Sequence, residues 1–192
     1  MENTVTILFS SLRKLFVLAG AVVSIAAVTP VQAADKNHLD QDVDAALQAL
    51  YDTTPAAKAM GEKAKGILVF PNITKAGFIV GGQGGDGALI QNGKKVGYYN
   101  NAAASFGLQA GIQTYGFALF FMSDKVMKDF LKSKGWEIGV GPTVVVVDSG
   151  AGKDLNTLTG KADVYAFIFD QKGLMAGVGI QGSKITKLKS AR

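Results

Sequence analysis

The sequence predicts an α+β domain in which a strongly curved antiparallel sheet or small β-barrel is covered by about three α-helices. Three observations carry that prediction. Apolar residues recur at helical spacing in three short segments near residues 39–63 and 124–132, whereas the rest, from residue 67 to 180, falls into apolar, β-branched and aromatic runs. Glycine supplies 24 of 192 residues, and in several runs it occupies alternate positions, hence one sheet face. A hydrophobic content of 48% against 18% charged residues is a globular balance at a length that suits one domain.

Residues 1–33 are set apart from that domain. Arg13 and Lys14 precede an apolar run from Leu15 to Val28, and Pro30 and the small-residue ending Val31-Gln32-Ala33 follow, which is the layout of a signal peptide. A helix of that run's length rises about 21 Å, short of a ~30 Å hydrocarbon core, so cleavage after Ala33 is expected rather than a retained anchor. The expected product is a single domain, 34–192, in the periplasm or secreted, touching membranes only peripherally. The chain has no cysteine, which excludes a disulfide scaffold, a thiolate zinc site, a cysteine nucleophile and a lipidated N-terminal cysteine.

The helices come first. Leu39, Val43, Ala46, Leu47, Leu50 and Tyr51 lie at spacings of three and four, one helical face, with Asp40 and Asp44 near the start, where the helix dipole favours acids. Thr54 followed by Pro55 predicts a second helix start, running to about Lys63. A third is predicted from Ser123 as cap through Asp124 to Lys132, with Val126, Met127, Phe130 and Leu131 inward and Gly135 as the stop. Strands are predicted at 67–70, 77–80, 88–91, 95–99, 106–121, 136–147 and 164–180, and Asn92-Gly93 reads as a two-residue hairpin turn. Ile138-Gly139-Val140-Gly141 and Ala176-Gly177-Val178-Gly179 alternate glycine along a strand, which lets a sheet curl or another backbone approach. On that reading Val at Gly139 or Gly177 costs more than about 2 kcal/mol through overpacking.

Charge and motifs narrow the function classes. Residues 34–192 hold 18 cations and 14 acids, a net +4, divided into −4 for 34–54 and +8 for 55–192. All but Arg192 of those cations are lysine, a hydrated point charge rather than the planar fork that reads base edges, so no nucleic-acid partner is expected and diffuse attraction to an anionic surface is. Gly82-Gln83-Gly84-Gly85-Asp86-Gly87 and Gly177-Val178-Gly179-Ile180-Gln181-Gly182 have dinucleotide-fingerprint spacing, but neither is followed by the helix a phosphate requires. Asp40, Asp42 and Asp44 imitate a calcium loop in which Ala45 replaces the turn glycine and Tyr51 the bidentate acid, so they are read as the polar side of a helix. His38 is the sole histidine and stands near the start of the expected domain, which leaves no base for a serine triad. No enzyme, cofactor or metal is expected.

Two separated stretches carry a family resemblance. Ala64-Lys65-Gly66-Ile67-Leu68-Val69-Phe70-Pro71, then Lys75-Ala76-Gly77-Phe78-Ile79-Val80-Gly81-Gly82 and Gly85-Asp86-Gly87, resemble the opening of the SYLF domain, the Las-seventeen-binding, actin-regulating family. Asp163-Val164-Tyr165-Ala166-Phe167, Lys172-Gly173-Leu174-Met175-Ala176-Gly177-Val178 and Gln181-Gly182-Ser183 resemble its closing motif, so the likeness spans about residues 39–185. The resemblance implies a non-catalytic lipid-binding module of the bacterial exported type, with phosphoinositide-like or other anionic phospholipid membranes as partner. Actin is a partner by family analogy alone and is not expected of an exported protein. The basic N-terminal membrane segment of some members is not reproduced, because Asp40, Asp42, Asp44 and Asp52 make the leading helix acidic.

The leading lipid-binding candidates are Lys184, Lys187, Lys189 and Arg192, interleaved with Ile185 and Leu188, and the next are Lys58, Lys63 and Lys65. A basic terminal strand or tail that keeps a sheet edge soluble is the alternative for the first group. Two further functions stay open: a structural or protein-interaction module of the envelope, and a barrel holding a small apolar ligand among Phe106, Phe117, Phe120, Phe121, Trp136 and Phe167. The same rings serve equally as ordinary core.

Overall fold

Two very long strands, each broken by bulges instead of ending at them, organise the molecule. In a computed structural model, residues 36–148, 162–173 and 182–189 are described. The chain divides into two units, Met1–Gln32 and Ala33–Arg192. The first unit, and with it the expected signal peptide, lies outside the described residues. The second opens with helices α1 (Lys36–Thr53) and α2 (Pro55–Gly61), followed by the strand pair β1 (Gly66–Gln91) and β2 (Lys94–Phe121). Helix α3 (Asp124–Lys132), strands β3 (Trp136–Glu137), β4 (Val144–Asp148), β5 (Val164–Gly173) and β6 (Lys184–Lys187) complete it.

β1 and β2 form one antiparallel hairpin whose turn is Asn92-Gly93, with φ of 50° and 72°. Positive φ at both central residues matches the right-handed twist of the strands, which is why this dipeptide turns the chain here. Three strands expected separately at 67–70, 77–80 and 88–91 are therefore one, and 95–99 and 106–121 are another. Register shifts between Phe70 and Ile73 and between Phe78 and Val80 explain the difference. Pro71 sits in the first shift, where a missing N–H is tolerated, and the glycines around the second bend the ladder without ending it.

The hairpin bends back on itself. A Cβ added to Gly77 would come 2.5 Å from the Cα of Gly81. Farther along β1, a Cβ on Gly85 or Gly87 would strike the carbonyl oxygen of Asn72 or Val69, so the second half of the strand lies against the first. Close approach through alternate glycines was expected of 138–141, and there it does not occur. Gly139 and Gly141 lie in a turn at φ of 101° and 105° with open space where a side chain would go, and 136–147 is two strands instead of one. Gly177 is outside the described residues.

β2 is the spine of the six-stranded sheet. One edge carries β1; the other carries β6 opposite Tyr99–Ala102 and β5 opposite Gln113–Phe121. β3 extends β6, and β4 extends β5. The β4–β5 pair is parallel, which departs from the all-antiparallel expectation; the remaining pairs are antiparallel. The result is an α+β fold with a strongly curled, half-barrel sheet and three covering helices.

Alternation along the strands feeds two cores. Leu68, Phe70, Phe117, Leu119, Phe121, Val164, Ala166 and Ile168 point to one side, where α3 adds Val126, Met127 and Phe130 and β3 adds Trp136. Ile67, Val69, Ala118, Phe120, Tyr165, Phe167 and Phe169 point to the other, under Leu39, Val43 and Leu50 of α1 and Ala57 and Met60 of α2. The aromatic residues considered as a ligand lining meet one another: Phe121 and Trp136 at 6.0 Å between ring centroids, Phe120 and Phe167 at 5.0 Å. They are core. The Phe106 side chain is outside the described set.

The acids of α1 have structural partners. Asp44 accepts from Lys95 Nζ at 2.7 Å and Asp40 from the Tyr98 hydroxyl at 3.0 Å, both on β2. One turn apart on one helical face, they dock α1 on the start of β2. His38 is exposed in the first turn of α1, and Leu131 is 43% exposed where an inward position was expected. α3 ends at Ser133, two residues before Gly135, through an extended C-cap.

Candidate membrane-facing surface

The structure places the lysine candidates on two separate supports. Ile185, 1% exposed, pins β6 between Asn101 of β2 and Trp136 of β3. That anchorage turns Lys184 and Thr186 outward, opposite Ala102 and Asn100. Lys187 and Lys189 are also exposed, and Leu188, 36% exposed, is tied by its N–H to Tyr98 O at 2.9 Å. Lys184–Lys187 is thus a strand paired with β2 along its length and with β3 at Lys184 and Ile185, and the Lys187 side chain runs over β2, its Cε 3.6 Å from a Cβ added at Gly97. Arg192 lies outside the described residues.

Lys58, Lys63 and Lys65 are exposed on α2 and the turn after it. The N–H of Lys65 donates to Phe121 O at 2.8 Å, which fixes this group at the C-terminal end of β2, whereas β6 lies on its N-terminal half. The structure therefore brings Lys184, Lys187 and Lys189 together and leaves Lys58, Lys63 and Lys65 as a different group. Lys134 joins the first group, because its neighbour Gly135 packs beside the Lys184 side chain, 3.1 Å from its Cε to an added Cβ.

At the bend of the hairpin, Val80 is 59% and Ile112 65% exposed. Ile112 stands opposite Ala76, and two residues beyond it Thr114 stands opposite Lys172. Sequence reading overlooked this surface, although a signal was present: residues 96–123 contain no Asp, Glu, Lys or Arg.

Behind the bend lies a buried polar chain. The Tyr115 hydroxyl donates to Gln83 Oε1 at 3.1 Å, and Gln83 Nε2 donates to Ser183 Oγ at 3.1 Å. Burial pushes the Tyr115 phenol well above its ordinary value of 10.0, so it stays a neutral donor. Lys75, 4% exposed, stands beside this chain in register with Gln113, whose Nε2 donates to Gln171 Oε1 at 3.4 Å. Gln83 and Ser183, a hundred residues apart in sequence, are thus joined in space, as are Gln113 and Gln171. Among the described residues no group of three or more His, Cys, Asp or Glu stands within metal-holding range, and no helix is long and apolar enough to cross a membrane.

Residues 102–192 match the family model for Ysc84, described as Las17-binding protein actin regulator. Over that stretch the chain is similar to the Ysc84, or SYLF, family. It is 29% identical over 133 residues to the SH3 domain-containing YSC84-like protein 1 of Rattus norvegicus, Mus musculus and Homo sapiens. The aligned residues cover 66% of this chain and 38% of each relative, so the match corresponds to a part of those proteins. Their name likens them to Ysc84, the name of the matching family model.

Proposed function

We propose that this SYLF-like domain is a non-catalytic module that associates with anionic phospholipid membranes of the cell envelope after export. The observation that carries the reading is the exposed basic set on β6: Lys184, Lys187 and Lys189 beside the exposed Leu188, in a segment with no acid after Asp170. Each cation near an anionic surface contributes at most about 1 kcal/mol, so a cluster matters where one lysine does not. The resemblance to lipid-binding SYLF members supports the same reading.

Co-sedimentation with vesicles tests it. The domain is expected to pellet with phosphatidylcholine–phosphatidylglycerol vesicles more than with phosphatidylcholine alone, and to be released as salt approaches about 0.5 M, where screening falls to a few ångströms. Replacing Lys184, Lys187, Lys189 and Arg192 by Gln is expected to weaken binding while leaving the melting temperature unchanged. Undiminished binding by that variant would move the contact to Lys58, Lys63 and Lys65; failure of the wild type to pellet with either vesicle would remove lipid association altogether. Export is part of the proposal, and mass spectrometry of the secreted or periplasmic protein is expected to find Ala34 at its N-terminus. An intact chain beginning at Met1 in the membrane fraction would replace export with anchoring.

A further inference from the structure

An apolar, uncharged bend flanked by exposed lysines is the feature that the basic strand does not account for. Val80 and Ile112 are 59% and 65% exposed, more than Val96 of β2 at 48% and Val146 of β4 at 47%. The sequence around them is depleted of charge on both strands: 96–123 has none, and 66–85 has Lys75 alone, which is buried. Charge returns at the margins. Lys172 stands opposite Thr114, two residues from Ile112, and Lys184 opposite Ala102, four residues from Phe106, the partner of Val80. Two residues of strand span about 7 Å, so Lys172 stands within the depth over which an interfacial segment passes from acyl chain to headgroup, and Lys184 lies about twice as far along.

We infer that the bend of the β1–β2 hairpin is the part of the domain that enters the bilayer surface, with Val80 and Ile112 at the acyl boundary and Lys172 and Lys184 among the headgroups. This rests on the lipid association proposed above and names its surface. β1 and β2 are paired on either side of the bend, from Ile73–Tyr115 through Phe78–Ala110 and again from Val80–Phe106, with a register shift between.

The balance between charge and insertion also follows from the geometry. Lys172 is paired with Asp170 at 2.9 Å, an exposed pair that retains little net attraction, whereas Lys184 belongs to the basic set of β6. Apolar insertion therefore carries the contact at the bend, and the lysines set its depth.

The absence of cysteine makes the test direct, because a single introduced thiol is uniquely labelled. Ile112→Cys and, as a control on α3, Lys128→Cys are each coupled to an environment-sensitive fluorophore and mixed with phosphatidylcholine–phosphatidylglycerol vesicles. The expected result is a blue shift, quenched by lipids brominated in the acyl chain, at residue 112 and not at residue 128. Val80→Ser with Ile112→Ser is expected to lower vesicle binding about ten-fold or more, the equivalent of losing one well-buried aliphatic side chain from water-excluded contact. Lys172→Gln with Lys184→Gln is expected to lower it less. Melting curves confirm that these exposed substitutions leave the fold intact. Wild-type pelleting with an unshifted probe at residue 112, or with full binding by the double Ser variant, would overturn the inference and leave lipid association standing. If the wild type pellets with no vesicle, both fall.

Discussion

At Gly87 the missing side chain decides whether β1 can lie against itself, because a Cβ there would enter the Val69 carbonyl and the Phe70 ring. Gly87→Val is accordingly expected to cost more than about 2 kcal/mol in denaturant unfolding, through overpacking against backbone that cannot yield. Gly139→Ala meets open space, and its cost is the roughly 1 kcal/mol of placing a side chain at φ of 101°, so the two substitutions separate packing from backbone strain. Tyr115 gives a different kind of prediction. Its phenol is raised by burial, and Tyr51, Tyr98 and Tyr99 are raised too, chiefly for the same reason. Since the fold prefers the neutral ring, the unfolded chain loses its protons first; stability is full below about pH 10 and declines as pH rises beyond it. Tyr115→Phe is expected to lower stability at neutral pH by about 1 kcal/mol, for the lost bond to Gln83, and to shallow that alkaline decline in pH-dependent melts.

Two helix starts that read alike in sequence behave differently in the structure. Ser123 Oγ accepts from the Val126 N–H at 3.4 Å, whereas Thr54 makes no side-chain cap bond and its buried Oγ1 has no hydrogen-bond partner among the described residues. Ser123→Ala should therefore cost about 1 kcal/mol, while Thr54→Val, nearly the same shape without the orphaned hydroxyl, should cost nothing or raise the melting temperature. A loss at Thr54 equal to that at Ser123 would show that its hydroxyl is satisfied in solution. Elements governed by neighbours in sequence were legible in this way: α3 ends where its cap and periodicity put it, and Asn92-Gly93 turns the hairpin. Elements governed by distant partners were not. Nothing local marks β4 as the parallel neighbour of β5, and Pro71 reads as a strand end until the bulge opposite Gly116 and Phe117 is known. Of the candidate site, the lysines of β6 could be read as a basic cluster, but the buried lysine at position 75 and the exposure of Ile112 depend on which strand face curls inward, which composition does not disclose.

At the scale of the whole molecule, one sheet serves two cores, and β5 shows how: Val164, Ala166 and Ile168 fill one side and Tyr165, Phe167 and Phe169 the other. No strand of that kind can be removed without opening both. The same holds more sharply for β2. The family-model match begins at residue 102, in the middle of that strand, while the partners of its second half run from Gly66 to Gly84 upstream. An excised piece spanning 102–192 would keep β5 and β6 yet lose β1, α1 and α2, and is expected to give a random-coil circular dichroism spectrum where 34–192 gives a cooperative melt. A folded, cooperative 102–192 would show that the hairpin is dispensable. The portion that the family model matches is thus smaller than the portion that must be inherited together, and a gene fusion or transplant cut at the border of that match would divide a strand between donor and host.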